Sequence, residues 1–184
     1  MATRTVIQQL STMRYEEVYK IGKIGKPHGI KGEVTLFFSD DVFDRTDSDY
    51  VVLCIDGILV PFFMEEYRFH GSETALVKFC DIDSQEAARE LTGCDVYFPR
   101  SLADEAGGDM SLAQIVGYTI VDVQGGSHVG TIESVDDSTA NLLFAVSTPD
   151  GRELLLPAHA ELVEYVDTER QEVGMHLPEG ITDL

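Results

Sequence analysis

GKIGKPHGIKGEV, residues 22–34, is the densest local pattern in this chain of 184 residues, and it places four glycines within eleven positions. Glycine tolerates positive φ angles and close backbone approach, so a loop of these residues can turn tightly and expose its amides. Pro27 stiffens the middle of the segment because its ring fixes φ. Strand-like runs precede and follow it. The stretch therefore predicts a glycine-rich corner of a β-barrel.

The runs around this corner are rich in Val, Ile, Phe and Tyr and are bounded by Gly, Asp and Ser, which is typical of short β-strands. Strands are predicted at Val18–Ile24, Glu33–Phe38, Val51–Ile55, Ile58–Phe63, Ala75–Phe79 and Asp95–Phe98. A weaker strand pattern covers Tyr67–Gly71. Asp56-Gly57 separates two of the runs by two residues and indicates a hairpin turn.

One helix is predicted between the last two of these strands. Asp83 can act as its N-cap, with Glu86 three residues later completing a capping box. Helix-favouring residues continue to Leu91, and Gly93 can supply a left-handed stop. The first half of the chain is therefore predicted to be β-rich with a single short helix.

The strand pattern restarts after residues 101–109, SLADEAGGD, a small-residue and acidic stretch that is typical of a linker. Strands are predicted at Tyr118–Val123, His128–Val135, Leu142–Ser147, Glu153–Leu156, Leu162–Val166 and Glu172–Leu177. Short strands at this spacing favour a closed or nearly closed barrel.

The predicted fold is mainly β, with two tandem small β-barrels and one short helix in the first. We expect a flexible N-terminal extension at residues 1–15, a first barrel domain at 16–100, a linker at 101–109 and a second barrel domain at 110–184. Each domain has under a hundred residues, a size at which small domains can fold.

The charge of the chain is strongly negative and unevenly distributed. The formal net charge is −20 and the sequence pI is about 4.3, yet residues 1–32 carry six basic residues against Glu16 and Glu17. Because nucleic-acid affinity depends mainly on Lys and Arg, most of this molecule should repel a phosphate backbone and attract basic proteins. Direct phosphate contacts should be concentrated in the first stretch. The alternative is that the acidity serves only solubility.

The glycine-rich segment concentrates hydrogen-bond donors from Lys23, Lys26, His28 and Lys31. It lacks the GxxxxGK[ST] spacing of nucleotide-hydrolase loops and the GxGxxG spacing of dinucleotide sites. Composition alone allows two interpretations of this segment: a loop that binds a partner, or a barrel corner without a partner.

Cofactor, metal and membrane signals are missing from the sequence. Cys54, Cys80 and Cys94 are far apart and form no CxxC pair, which favours a reducing cytoplasm over a disulfide framework. The histidines form no HxH or HExxH pattern, so we expect neither a metal nor another cofactor. No apolar run reaches the length of a membrane span, and residues 1–14 do not resemble a signal peptide.

The segment at residues 22–34 resembles the N-terminal signature of the RimM family of ribosome maturation factors. Residues 41–44 and the SQEAARELTG stretch at 84–93 are also similar to elements of that family. The second half resembles the family's PRC-barrel domain; its matching pieces are Ile115–Tyr118, Val129–Ile132, Asn141, Leu156-Pro157, Val166-Asp167 and Leu177–Ile181. The resemblance covers about residues 18–184.

This resemblance implies a translation-factor-like barrel followed by a PRC-barrel, and a protein that is not an enzyme. RimM-like proteins bind the immature 30S subunit near its head, associate with the nineteenth small-subunit ribosomal protein, and promote folding and processing of 16S rRNA. We therefore expect those partners, no membrane partner and no small-molecule substrate. We also expect a monomer located in the cytoplasm.

The residues expected to contact a partner or rRNA fall into two groups. The first is Lys23, Lys26, Pro27, His28, Gly29, Lys31 and Gly32; the second is Met110, Leu112, Tyr118, Leu156 and Pro157. Some family members have adjacent tyrosines where this chain has Met110-Ser111, so the hydroxyl and flat ring are missing at that point. Leu156-Pro157 can instead end a core strand, and Tyr118 has the same ambiguity.

Two other functions compete with that of an assembly factor that acts only by binding. An rRNA nuclease or nucleotide-dependent factor would need a carboxylate cluster or a phosphate loop, and neither occurs at recognisable spacing. A PRC-barrel adaptor unrelated to ribosomes would not need the glycine- and lysine-rich motif.

Overall fold

The computed structural model describes residues 13–106, 110–136 and 142–177, and the chain divides into two compact units. Unit 1 is Met1–Asp109 and unit 2 is Met110–Leu184. Both are built mainly of β-strands, as predicted. Residues 1–12 of the predicted extension, 107–109 of the predicted linker, and Asn141 and 178–181 of the family resemblance lie outside the described residues.

Unit 1 contains six antiparallel strands that close into a barrel in the order β1-β2-β5-β4-β3-β6. They are β1 (Val18–His28), β2 (Glu33–Phe38), β3 (Tyr50–Ile55), β4 (Ile58–Phe69), β5 (Thr74–Phe79) and β6 (Asp95–Pro99). Alternate residues point into the barrel, so Val34, Leu36 and Phe38 of β2 are buried. This period-2 pattern is why the strand predictions succeed.

Two strands of unit 1 are longer than predicted because each contains an irregularity in register. β1 continues past Ile24 through a β-bulge that ends at Pro27, so most of the glycine-rich motif is strand and only residues 29–32 form the turn. In β4 a similar shift between Met64 and Glu66 joins the runs predicted separately at 58–63 and 67–71. A bulge inserts one residue and interrupts the alternation that a sequence pattern detects.

The prediction of a single helix was incomplete. In the described residues unit 1 has α1 (Val42–Arg45), α2 (Gln85–Glu90) and α3 (Arg100–Ala106), besides a 3₁₀ turn at Tyr15–Glu17. The four residues of α1 cannot display a helical period. α3 occupies most of the predicted linker, where Ala103 is buried.

The predicted helix is α2, but its N-cap is Ser84 and not Asp83. The Ser84 hydroxyl accepts a hydrogen bond of 3.1 Å from the Ala87 amide. The Asp83 carboxylate instead accepts a hydrogen bond of 2.8 Å from the ammonium of Lys78, which lies at the end of β5 five residues earlier. Gly93 has φ +88°, the left-handed conformation expected after the helix.

The end of the predicted N-terminal extension packs on the outside of the barrel. Met13 contacts an apolar cluster that includes Val52, whose side chain points outward from β3. The Tyr15 ring packs edge-on against Tyr97 at 5.8 Å, and its hydroxyl lies 3.0 Å from Cys54 Sγ. Residues 13–15 are therefore attached, in contrast to the predicted fraying, because they cover apolar side chains on the outer face.

Unit 2 contains one six-stranded sheet in the order β10-β9-β8-β7-β12-β11. Its strands are β7 (Thr119–Asp122), β8 (Ser127–Asp136), β9 (Leu143–Ser147), β10 (Glu153–Pro157), β11 (Val163–Asp167) and β12 (Glu172–Met175). All neighbours are antiparallel except β12 and β7, which are parallel. A separate core centred on Ile120, Ile132, Val146, Leu156 and Met175 stabilises the sheet.

Candidate functional site

The cationic hairpin, which we define as Lys23, Lys26, His28 and Lys31 on β1 and the following turn, is the first candidate site. All four side chains are exposed. Among the described residues no carboxylate lies within 4.0 Å of the ammonium groups of Lys23, Lys26 and Lys31. These lysines are therefore available for an anionic partner.

Several other cationic side chains of the barrel are paired with acidic neighbours. Lys20 Nζ lies 2.7 Å from Asp95 Oδ1, and Arg45 Nη2 lies 2.7 Å from the buried Asp40 Oδ1. Such pairing cancels much of their field at a distance. In the cationic hairpin, by contrast, the positive charge of three lysines close together in the chain is not compensated by an ion pair.

Glu33, opposite His28 in the β1–β2 register, is the acidic residue within the hairpin. Its carboxylate accepts a hydrogen bond from the Arg68 guanidinium. That bond lowers the pKa of Glu33, and the positive charges of Arg68, His28 and Lys31 lower it further. Arg68 therefore offsets the negative charge that Glu33 would otherwise add beside the cationic hairpin.

A fixed loop supports the base of the hairpin turn. The Lys78 ammonium donates to the carbonyl oxygens of Phe79 and Ile82 at 3.0 and 2.8 Å. Gly32, with φ +85°, lies against the same Ile82 carbonyl, and a Cβ at this position would overlap it. Gly32 is buried, so its side of the turn faces the Ile82 loop, and its contact with a partner stays a prediction. Gly29 and half-buried Pro27 remain near the surface.

The second group of predicted residues is divided by burial. Leu112 is exposed, Pro157 is half-buried, and Met110 is half-buried against the core of unit 2. Tyr118 and Leu156 are buried within that core, which favours the core alternative for both. Their side chains are not on the surface available to a partner.

Several exposed apolar side chains were not among the predicted site residues. Leu155 is 61% exposed because it points to the face of β10 opposite from Leu156. On the same outward face it pairs with Ala145, and the next outward pair is Pro157 with Leu143. Phe37 on β2 is 54% exposed beside the cationic hairpin. The alternation of each strand was the signal that could have identified them.

Unit 2 is strongly acidic in composition. Residues 110–184 contain 13 Asp and Glu residues but only two basic residues, Arg152 and Arg170. Arg152 Nε lies 2.7 Å from Asp150, and Arg170 Nε lies 3.7 Å from Asp167. In the regions that the structure covers, no cluster of three or more His, Cys, Asp or Glu side chains is arranged to hold a metal ion.

Comparison with known families identifies both units. The family description "RimM N-terminal domain" matches residues 19–103, and "RimM PRC barrel domain" matches residues 112–181. The chain belongs to the RimM family. The first RimM match contains the closed barrel and the cationic hairpin, and the second contains the acidic sheet. The resemblance inferred from residues 22–34 and from the PRC-barrel pieces is thus confirmed.

Individual RimM proteins are similar along nearly the whole chain. The ribosome maturation factor RimM of Bacteroides thetaiotaomicron is 47% identical over 173 residues, covering 94% of this chain and 96% of that protein. The RimM of Porphyromonas gingivalis is 33% identical, covering 89% and 95%. A crystal structure of a 16S ribosomal RNA processing protein RimM from Pseudomonas aeruginosa is 28% identical, covers 88% of this chain and 98% of that chain, and has a TM-score of 0.42.

Two further features of the described residues concern membranes and charge. Among the described residues, no helix combines the length and apolar character needed to cross a bilayer. The cationic hairpin and the acidic sheet lie in different units, so surfaces suited to anionic and to cationic partners are both present. This separation of charge is the main chemical property of the candidate sites.

Proposed function

We propose that this RimM family member binds the immature 30S subunit in the cytoplasm and promotes folding and processing of its 16S rRNA without catalysing a reaction. The acidic unit 2 contacts a basic ribosomal protein of the subunit head, the nineteenth small-subunit protein. The cationic hairpin contacts rRNA. The protein acts as a monomer and uses binding energy to favour one conformation of the subunit.

The observation that carries this proposal is the opposite charge of the two surfaces. Lys23, Lys26 and Lys31 have no acidic partner within ion-pair distance in the described structure, whereas the two arginines of unit 2 are each paired with an aspartate. A polyanion should therefore approach the hairpin, and a basic protein should approach unit 2. The relatives named as ribosome maturation factors support a ribosomal setting for both partners.

The apolar strip of unit 2, Leu143, Ala145, Leu155 and Pro157, is suited to the centre of the protein contact. It faces outward on β9 and β10, and Leu155 is its most exposed member. Exposed acidic side chains such as Glu133 and Glu153 lie on the strands of the same sheet. Apolar anchors surrounded by charge are typical of specific protein interfaces.

A retention assay with isolated small-subunit proteins tests the contact by unit 2. The full chain should retain the nineteenth protein at moderate ionic strength and release it as salt screens the charges. Leu155→Ser should weaken retention by about tenfold, because an apolar anchor in an interface typically contributes more than 1 kcal/mol. Ile58→Ser is the matched control, because Ile58 is equally exposed, at 65%, but lies on unit 1.

Sedimentation of the full chain with immature subunits tests the ribosomal setting. Wild type should migrate with immature 30S particles, and the triple substitution of Lys23, Lys26 and Lys31 by Gln should reduce the bound fraction. Failure to retain any basic head protein would contradict the role of unit 2. Turnover of precursor rRNA by the pure protein with magnesium and nucleotide would contradict the non-catalytic role.

A further inference from the structure

Phe37 is an exposed aromatic residue within the positively charged region of the first barrel. It lies on the outer face of β2 and is 54% exposed. In the β1–β2 register it is directly opposite Lys23, so both side chains lie on the same face of the sheet. A single exposed ring is ordinary on a protein surface, so the feature that distinguishes Phe37 is the unpaired lysine opposite it.

The position of the ring is set by Gly25 on the neighbouring strand. A Cβ at Gly25 would lie 2.5 Å from Phe37 Cε2, so the ring occupies the space that a side chain at residue 25 would fill. The exposed Lys26 follows this glycine in the chain, within the register irregularity between Ile24 and Pro27. The Phe37 ring therefore packs against the backbone of Gly25, which Lys23 precedes by two residues and Lys26 follows by one.

An aromatic ring that covers a glycine can also stabilise a sheet by itself. That role accounts for the contact between Phe37 and Gly25. It does not account for Lys23 and Lys26, neither of which has a carboxylate partner within ion-pair distance in the described residues. An aromatic platform bordered by free cations is instead suited to a ligand with a flat π system and a phosphate backbone.

We propose that Phe37 stacks on an unpaired base of single-stranded RNA, while Lys23 and Lys26 contact the adjoining phosphates. This inference rests on the proposed contact between the cationic hairpin and rRNA, and it specifies the chemistry of that contact. Single-stranded RNA fits because its bases can turn outward to stack, whereas bases within a duplex are stacked on each other. A basic protein surface would be repelled by the two lysines.

An NMR titration of the full chain tests the stacking contact. The probes are a short unstructured RNA of mixed sequence, the same strand annealed to its complement, and polyphosphate, which carries charge but no bases. We expect the single strand to shift the Phe37 ring protons upfield, because a stacked base places them in its ring current. Polyphosphate should shift the amide signals of the cationic hairpin without this effect on the ring.

Substitutions at Phe37 separate stacking from charge. Phe37→Leu should weaken binding of the single strand by about tenfold, in the range measured for loss of one base–aromatic stack. It should leave polyphosphate binding unchanged, and Phe37→Trp should preserve binding of the single strand. Phe63→Leu is the matched control, because Phe63 is an exposed phenylalanine of the same barrel that packs on Tyr50 at 5.6 Å.

Three results would overturn the stacking inference: unchanged RNA binding by Phe37→Leu, equal loss for RNA and polyphosphate, or a ring that does not respond to the single strand. In the first case, a Phe37→Leu defect confined to immature subunits would indicate that Phe37 contacts a protein. Sedimentation of the wild type with immature subunits is measured separately. If wild type sediments but Phe37 does not respond, the stacking contact alone is rejected.

Discussion

At the scale of single residues, the two glycines of the hairpin turn face different surroundings. Gly29 and Gly32 both have positive φ angles, +67° and +85°. A Cβ at Gly29 would meet nothing within 4 Å, whereas one at Gly32 would overlap the Ile82 carbonyl oxygen. Two substitutions of the same kind can therefore separate the effect of backbone conformation from the effect of close approach.

Gly29→Ala should lower the free energy of unfolding by about 1 kcal/mol, since the left-handed conformation is unfavourable for alanine. Gly32→Ala should lower it by roughly 3 kcal/mol, because the loop held by Lys78 must also move. Urea unfolding of both variants measures the difference. If both variants lost the same free energy of unfolding, the Ile82 loop would have moved away from the new Cβ without cost, and Gly32 would not position the turn.

The exposed residues of the candidate sites could be predicted only in part from the sequence. Lys23, Lys26 and Lys31 are exposed, as a cationic loop requires, and their charge is evident from composition. Leu155 and Leu156 were not distinguished, because a run of three leucines obscures the alternation that begins at the exposed Glu153. Phe37 was missed because a phenylalanine in a strand pattern is normally assigned to the core.

At the scale of elements, a buried polar network attaches α1 to the barrel. The Asp40 carboxylate accepts hydrogen bonds from the Tyr19 hydroxyl at 3.0 Å, the Val42 amide at 3.0 Å and the Arg45 guanidinium at 2.7 Å. Burial and the neighbouring Asp40 charge raise the pKa of Tyr19, so its hydroxyl remains protonated and donates. The network places Phe43 of α1 in contact with other aromatic rings of the barrel.

Tyr19→Phe should lower the free energy of unfolding by about 2 kcal/mol, because a buried hydrogen bond to a charged acceptor is lost. Tyr67→Phe is the matched control: its hydroxyl donates to Asp44 at 2.8 Å on the surface, so we expect a loss of about 0.5 kcal/mol. Thermal unfolding followed by circular dichroism compares the two. A Tyr19→Phe protein as stable as Tyr67→Phe would show that the Asp40 network does not stabilise α1.

Most strands could be predicted because side chains along a barrel strand alternate between the core and solvent, which gives the sequence a hydrophobic period of two. The prediction of β2 was correct at both ends, and β4 was divided where its bulge interrupts that period. The short helix α1 escaped detection because it is fixed by Asp40 and Tyr19, which are 21 positions apart, and not by a local pattern. α3 was hidden by small residues that are common in linkers.

At the scale of the whole molecule, the two units carry different densities of charge. Unit 1 has 20 acidic and 11 basic residues, and unit 2 has 13 acidic residues against two basic ones in 75 positions. In unit 1, ion pairs such as Lys20–Asp95 and Arg45–Asp40 offset part of the repulsion between acidic side chains. Self-repulsion is therefore greatest within unit 2, which favours docking onto a cationic partner.

Salt should consequently stabilise unit 2 more than unit 1. Raising ionic strength from about 0.01 M to about 0.15 M shortens the Debye length from about 30 Å to about 8 Å. Repulsion within unit 2 is then screened, whereas in unit 1 the gain is offset by weaker surface ion pairs. Hydrogen exchange of the full chain should show a larger gain in protection in β8 and β9 than in β2 and β5.

The same experiment on a chain with Glu133→Lys and Glu153→Lys separates charge from other effects of salt. Both side chains are exposed on strands of unit 2, so their reversal reduces its repulsion without changing the core. The salt-dependent gain in unit 2 should decrease, while that of unit 1 stays the same. Equal gains in both units of the wild type would mean that salt acts through apolar burial common to the two cores, and that charge repulsion does not distinguish the acidic surface.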